Sequence, residues 1–221
     1  MTASAHIFVE TNFLFGVFRM PSKRHRNALA LKARCDAGEV KLYVPYLCFQ
    51  EARYLIAKSL PSNRCSDLLE FHRFAAGTKA TAWDFAEVKK LLDAATGEVS
   101  QTKAVYQREL TEFATALGDG ILHGSKEVFD LLESLDLDDD NLKYNDKLIL
   151  TSVLLKAKQL KESGVGRLFF ASMDKSDLQP TAHRPKMARY YNEAGLVFVP
   201  NFVLPDSPAN PAGHAPVSGA P

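Results

Sequence analysis

An α/β fold, with a largely parallel central sheet of about four to five strands flanked by helices, follows from three features of the sequence. Short runs rich in β-branched and aromatic residues at 6–9, 40–44, 167–171 and 196–199 read as buried strands. Stretches of helical periodicity separate these runs, as crossovers between parallel strands require. Acids and hydroxyls follow two of the strands directly, at the carboxyl edge where ligands gather in open parallel sheets.

The first strand, His6-Ile7-Phe8-Val9, meets Glu10, Thr11 and Asn12 before apolar character resumes at Phe13 and Leu14. Taken alone, Glu10 reads as a solvated strand-end residue. The apolar pattern stops at Met20-Pro21-Ser22, where Ser22 suits an N-cap for a helix over 23–37 and Gly38 suits its C′ position. Lys23, Arg24, His25 and Arg26 make the start of that helix basic. A solvated helix face is the simpler account. The alternative is a phosphate-contacting patch, because cations in a first turn oppose the helix dipole and an external anion relieves them.

The second strand ends at Pro45, and a helix over 47–60 is closed by Pro61. Glu51 lies near the start of this helix, where the dipole favours an ionised carboxylate. It is also explained as an exposed or capping acid. Helical periodicity then continues in pieces over 62–76, 84–95, 100–117 and 125–135, punctuated by Gly77, Gly97, Gly118 and Gly120. The stretch 62–140 is read as a helical insertion or lid within a single domain spanning 1–204. The acidic run at 136–140 fails as a calcium loop, since the turn glycine is missing and Lys147 stands where the bidentate acid belongs.

Asn145 reads as the N-cap of a helix over 146–162 that is apolar on more than one face, as expected for packing against a sheet. Asp146 would then be held charged by first-turn amides; a simple helix-end acid is the bland reading. The strand at 167–171 runs into Ser172-Met173-Asp174-Lys175-Ser176-Asp177, where turn chemistry alone also favours Asp and Ser. Pro185 suits the first position of a short helix to 194, Gly195 ends it, and a last strand follows. Residues 205–221 are rich in Pro and Ala and are expected to be a disordered tail.

The 221 residues carry 46% hydrophobic and 24% charged side chains, ordinary for a globular protein. A net charge of +1 gives no overall drive toward nucleic acid or membrane, so a polyanion must be met by a local patch. No segment is apolar for long enough to span a bilayer, and no signal peptide opens the chain, so cytoplasmic residence is expected. Cys35, Cys48 and Cys65 form no C-x-x-C pair and read as reduced thiols.

In a parallel sheet Glu10, Glu51, Asp146 and Asp174 can converge at one edge, with Asp177 beside them. Clustered carboxylates repel and take up protons unless a cation neutralises them. Mg²⁺ or Mn²⁺ suits such oxygen ligands, and can activate water and stabilise charge on a phosphate.

These pieces resemble the PIN domain, the metal-dependent ribonuclease fold of many bacterial toxins. The resemblance rests on Ile7-Phe8-Val9-Glu10-Thr11-Asn12, Glu51, Asp146-Lys147-Leu148-Ile149-Leu150 and Ser172-Met173-Asp174-Lys175-Ser176-Asp177, in that order over most of 6–200. It implies an Mg²⁺- or Mn²⁺-dependent endoribonuclease with Glu10, Glu51, Asp146 and Asp174 as its catalytic acids. Glu10, Asp146, Asp174 and Asp177 are the implied metal ligands. Thr11 and Ser172 would orient ligands or phosphate, Asn12 would tie the loop beside substrate, and Lys23, Arg24 and Arg26 would meet the RNA backbone. An antitoxin protein and a second copy of the chain are the further partners implied. Two features depart from the family. Its opening acid is usually Asp, and the stretch between Glu51 and Asp146 is longer than in compact toxins. A catalytically weak PIN-like module that binds RNA or protein is therefore the competing expectation. An aspartyl-phosphate phosphatase or receiver-like domain shares the acidic strand ends, but Glu at the first strand end argues against a nucleophilic Asp.

Overall fold

Five parallel strands form one sheet in the order β3-β2-β1-β4-β5 in the computed structural model, which describes residues 5–18, 23–59, 85–137, 142–173, 175–181 and 183–205. β1, Ala5–Val9, lies at the centre and pairs with β2, Val40–Pro45, on one side and β4, Leu168–Ser172, on the other. β5, Leu196–Pro200, extends the sheet beyond β4, and the two-residue β3, Ile121–Leu122, extends it beyond β2. The strands inside the sheet are apolar runs because they are buried on two faces, whereas β5 at the edge leaves Val197 and Pro200 exposed. In β4 every residue is buried, and in β1 only His6 is partly open.

The chain travels outward from β1 to β2 to β3, then returns to the other side of β1 for β4 and β5. Right-handed crossovers place the helices of these two journeys on opposite faces. On the first face, α1, Thr11–Phe18, packs with α2, Lys23–Asp36, and α2 lies on β2. On the second face, α6, Tyr144–Glu162, packs against β2, β3 and β4 and against α5, Lys126–Ser134, and α8, Pro185–Ala194. Its buried Ile149, Leu150, Val153, Leu154 and Ala157 fit the expectation of a helix that faces the sheet. A short α7, Lys175–Leu178, follows β4.

Helix ends obey local chemistry. Gly38 adopts φ 72° after α2, the Glu39 amide donates to the Arg34 carbonyl and the Gly38 amide to that of Cys35. That is a Schellman ending, and it satisfies two otherwise open carbonyls. Ser125 caps α5 by accepting from the Val128 amide, and Pro185 opens α8 as the sequence predicts. Asn145 is not the cap of α6; Lys143 holds that position without a side-chain bond, which places Asp146 at the third helical residue, still in the first turn. Ser22, expected to cap α2, lies outside the described residues.

Two compact units divide the chain: Met1–Phe49 with Leu117–Pro221, which contains the sheet, and Gln50–Ala116. α3, Tyr46–Ser59, crosses the boundary between them in sequence. In the second unit, α4, Phe85–Leu117, is continuous for 33 residues, where two helices separated near Gly97 were expected. A helical glycine costs roughly 1 kcal/mol, too little to break a helix whose neighbours favour it. Arg53 Nη2 donates to Thr111 Oγ1 at 3.3 Å and ties α3 to α4 within this unit. The helix expected over 62–76 and the expected 205–221 tail fall outside the described residues, apart from Pro205. No described helix is long and apolar enough to cross a membrane.

Candidate functional site

In a sheet of this order the chain reverses direction between β1 and β4, and the crevice at their carboxyl ends is where open α/β folds bind ligands. Glu10 occupies that position. It is the residue after β1 and before α1, so it caps the helix as well as ending the strand. Its carbonyl accepts from the Phe13 amide at 2.9 Å, and its Oε2 accepts from the Asn12 amide at 2.6 Å. Its Oε1 reaches across to β4, accepting from Ser172 Oγ at 3.0 Å and from the Met173 amide at 3.4 Å. One carboxyl group thus bridges the ends of the two central strands.

This position is not the solvated strand end that the sequence suggests: Glu10 is only 4% exposed. Burial pushes its carboxyl from the ordinary 4.5 up to about 7, against the opposing pull of the Asn12, Ser172 and Met173 donors. Desolvation wins because it penalises the charged form more than these donors favour it. Near neutral pH the group therefore exchanges a proton readily, and a cation placed against it would take over the proton's role.

The residues expected from sequence fall at several places in the structure. Thr11 is buried at the first position of α1, and Asn12 and Ser172 stand directly on Glu10. Asp146 lies half-buried in the first turn of α6, and Asp177 lies half-buried in α7, where its carbonyl accepts from Arg184 Nη1 at 2.5 Å. Glu51 is half-buried on α3 in the unit Gln50–Ala116. Arg26 is exposed on α2, whereas the side chains of Lys23 and Arg24 lie outside those described. Asp174, the residue after Met173, also lies outside the described residues.

Among the described residues, no group of three or more His, Cys, Asp and Glu side chains is gathered to hold a metal ion. Glu10 fits a hard divalent cation as a single oxygen ligand, since among the described residues its buried carboxyl is met by hydrogen-bond donors and no cation. The Met173 amide was not legible as a site group, because a backbone donor leaves no mark on residue type. The same edge also carries aromatic rings. Tyr46, just past β2, stacks on His123, just past β3, with ring centroids 5.4 Å apart and planes at 30°. No family model, no curated protein and no solved structure matches the chain.

Proposed function

We propose that this protein is an Mg²⁺- or Mn²⁺-dependent endoribonuclease of the PIN type, cutting RNA at the crevice between β1 and β4. The observation that carries the reading is the Glu10 carboxyl, buried at the switch point and bonded to Ser172 across it. A buried acid with its proton held near neutrality is a group suited to receive a cation or to move a proton. Bound there, a divalent ion supplies Lewis acidity and an activated water for attack on a phosphodiester.

The chain's own residues have definite parts in this reading. Ser172 and the Met173 amide hold Oε1 while the Asn12 amide holds Oε2, so a ligand or proton would take a remaining lone pair of this already oriented carboxyl. The Asn12 amide holds Oε2 from below through the start of α1. Asp146, Asp174 and Asp177 are the further acids of the proposed site, and a toxin role opposed by an antitoxin remains part of the proposal.

A catalytically weak binding module is the second reading, favoured by the engagement of both Glu10 oxygens in ordinary capping and bridging bonds. Purified protein incubated with mixed RNAs in Mn²⁺, Mg²⁺ or EDTA decides between them. The nuclease should cut only with metal, and Glu10→Gln should reduce cleavage by about 100-fold, the scale of loss for a misplaced catalytic group. Cleavage that persists in EDTA, or is unchanged in Glu10→Gln, overturns the reading. Glu10→Asp lowers activity if the site is built for the longer side chain; a rise from a low baseline selects the binding module.

A further inference from the structure

Two exposed rings stack at the carboxyl edge of the sheet-containing unit, and a third stands near the glycine that follows them. Tyr46 is 40% exposed and stacks on the exposed His123. Gly124 follows, and a Cβ built there would lie 3.8 Å from the ring of Phe129, which is itself 45% exposed. Tyr46 thus stands at the end of β2, His123 at the end of β3 and Phe129 in the first turn of α5. Register connects the stacked pair to Glu10. Val44 pairs with Ile121 and Pro45 with Leu122, so the next residues in step are Tyr46 and His123. Phe8 pairs with Tyr43, so the same offset brings Glu10 level with Pro45. Strands lie about 4.8 Å apart, which puts the Tyr46 backbone within about 10 Å of the Glu10 backbone.

A stacked pair at a low interplanar angle offers a flat π-face for a further planar group. Sequence-tolerant binding of single strands uses this device: bases stack on aromatic rings while positive potential follows the backbone. α3, α5 and α6 all begin at this edge, where their first-turn amides carry partial positive charge alongside the acids Glu127 and Asp146. We infer that Tyr46, His123 and Phe129 form a base-stacking platform that receives unpaired nucleotides of single-stranded RNA beside the Glu10–Ser172 crevice. This rests on the ribonuclease reading for its choice of RNA. Duplex RNA is a poor fit, since its bases are already stacked on one another.

Binding is measured by fluorescence anisotropy with a labelled single-stranded 12-residue oligoadenylate and the same strand annealed to its complement. The full chain is kept in EDTA, so that cleavage plays no part. The single strand should bind more tightly than the duplex. Tyr46→Ala and His123→Ala should each weaken single-strand binding about tenfold, and Phe129→Ala by a similar or smaller factor. Tyr46→Phe should retain the wild-type affinity, because the ring is kept. These positions are exposed, and circular dichroism should report an unchanged fold. The inference is overturned if the alanine variants bind as wild type does, or if duplex and single strand bind alike. It is also overturned if neither binds, which would leave the aromatic rings to a protein partner. Loss of cleavage with platform-dependent binding would instead sink only the ribonuclease reading.

Discussion

The two ends of β1 carry one titratable residue each, and the protein treats them in opposite ways. At the amino end, His6 lies within hydrogen-bond distance of Tyr43 Oη, its Nδ1 3.0 Å away, and the two rings stack. Lys41 and Lys156 stand over the Tyr43 ring, 5.6 and 5.9 Å from its centroid. Burial first, and then these two lysines, lower the His6 pKa below 6.5. At the carboxyl end, burial raises Glu10 to about 7, and its neighbours are hydrogen-bond donors that pull it back. Both groups are driven toward neutrality by desolvation. The surroundings differ: one end already holds cations and repels another, while the other end presents a carboxyl with donors and no described cation. The proposed cation would meet repulsion from two lysines at the first end and from no described group at the second.

The largest test of this contrast is stability against pH in metal-free protein. Glu10 in the folded state is raised above its unfolded value. Its contribution is therefore fully present below about 4.5 and is lost as pH rises through about 7. A rise from 4.5 to about 7 corresponds to on the order of 3 kcal/mol. Between pH 4.5 and 8 the wild type should lose roughly 6–12 °C in Tm relative to Glu10→Gln, which has no proton to lose. Thermal melts of both proteins across that range check it. Parallel curves would mean that Glu10 is not desolvated as described.

A smaller effect is expected from Ser172→Ala. The hydroxyl donates to a buried carboxylate, so its removal should cost about 1.5–3 kcal/mol at pH 8. The loss should shrink at acid pH, because the bond favours the charged form. Urea unfolding at pH 5 and pH 8 measures both. A loss equal at the two values would show that Ser172 acts by packing alone.

The smallest effect belongs to the amino end. The His6 imidazole should titrate below 6.5, and Lys41→Met should move its midpoint upward, as should Lys156→Met. Sign matters here: a folded pKa below the unfolded value gives stability that is present above 6.5 and is lost as pH falls. NMR titration of the imidazole resonances follows this directly. No movement in either variant would remove the lysines from the account and leave burial alone.

The sequence made the longer strands and their parallel arrangement legible, because burial on two faces leaves runs of residues such as Leu42 to Val44 and Phe169 to Ala171. It did not make β3 legible. Two residues cannot show a period, and the flanking glycines read only as punctuation. Gly120 has a different reason to be glycine: a Cβ there would come within 2.5 Å of the Leu42 carbonyl, so the bare backbone is what lets β3 lie against β2. The cap of α6 was misplaced because Asn145 is a good capping residue and Lys143 is a poor one, yet tertiary packing started the helix two residues earlier. Glu10 was found as a strand-end acid, but its burial was not. The group that covers it, Ser172, is 162 residues away in the chain.

The central place of β1 has a consequence for how the protein is made. Synthesis proceeds from the amino end, so β1 and β2 are available early, with only 37 residues separating His6 from Tyr43. The second edge of β1 must wait for β4, and an unpaired edge is a template for other chains. Closing so long a loop is slow relative to local pairing. Until Ser172 and Met173 emerge, the Glu10 carboxyl lacks both of its partners on β4, and burying it would be costly. A nascent chain arrested before β4 is therefore an open-edged fragment with an acid at its end, kept from premature closure and accessible to proteases.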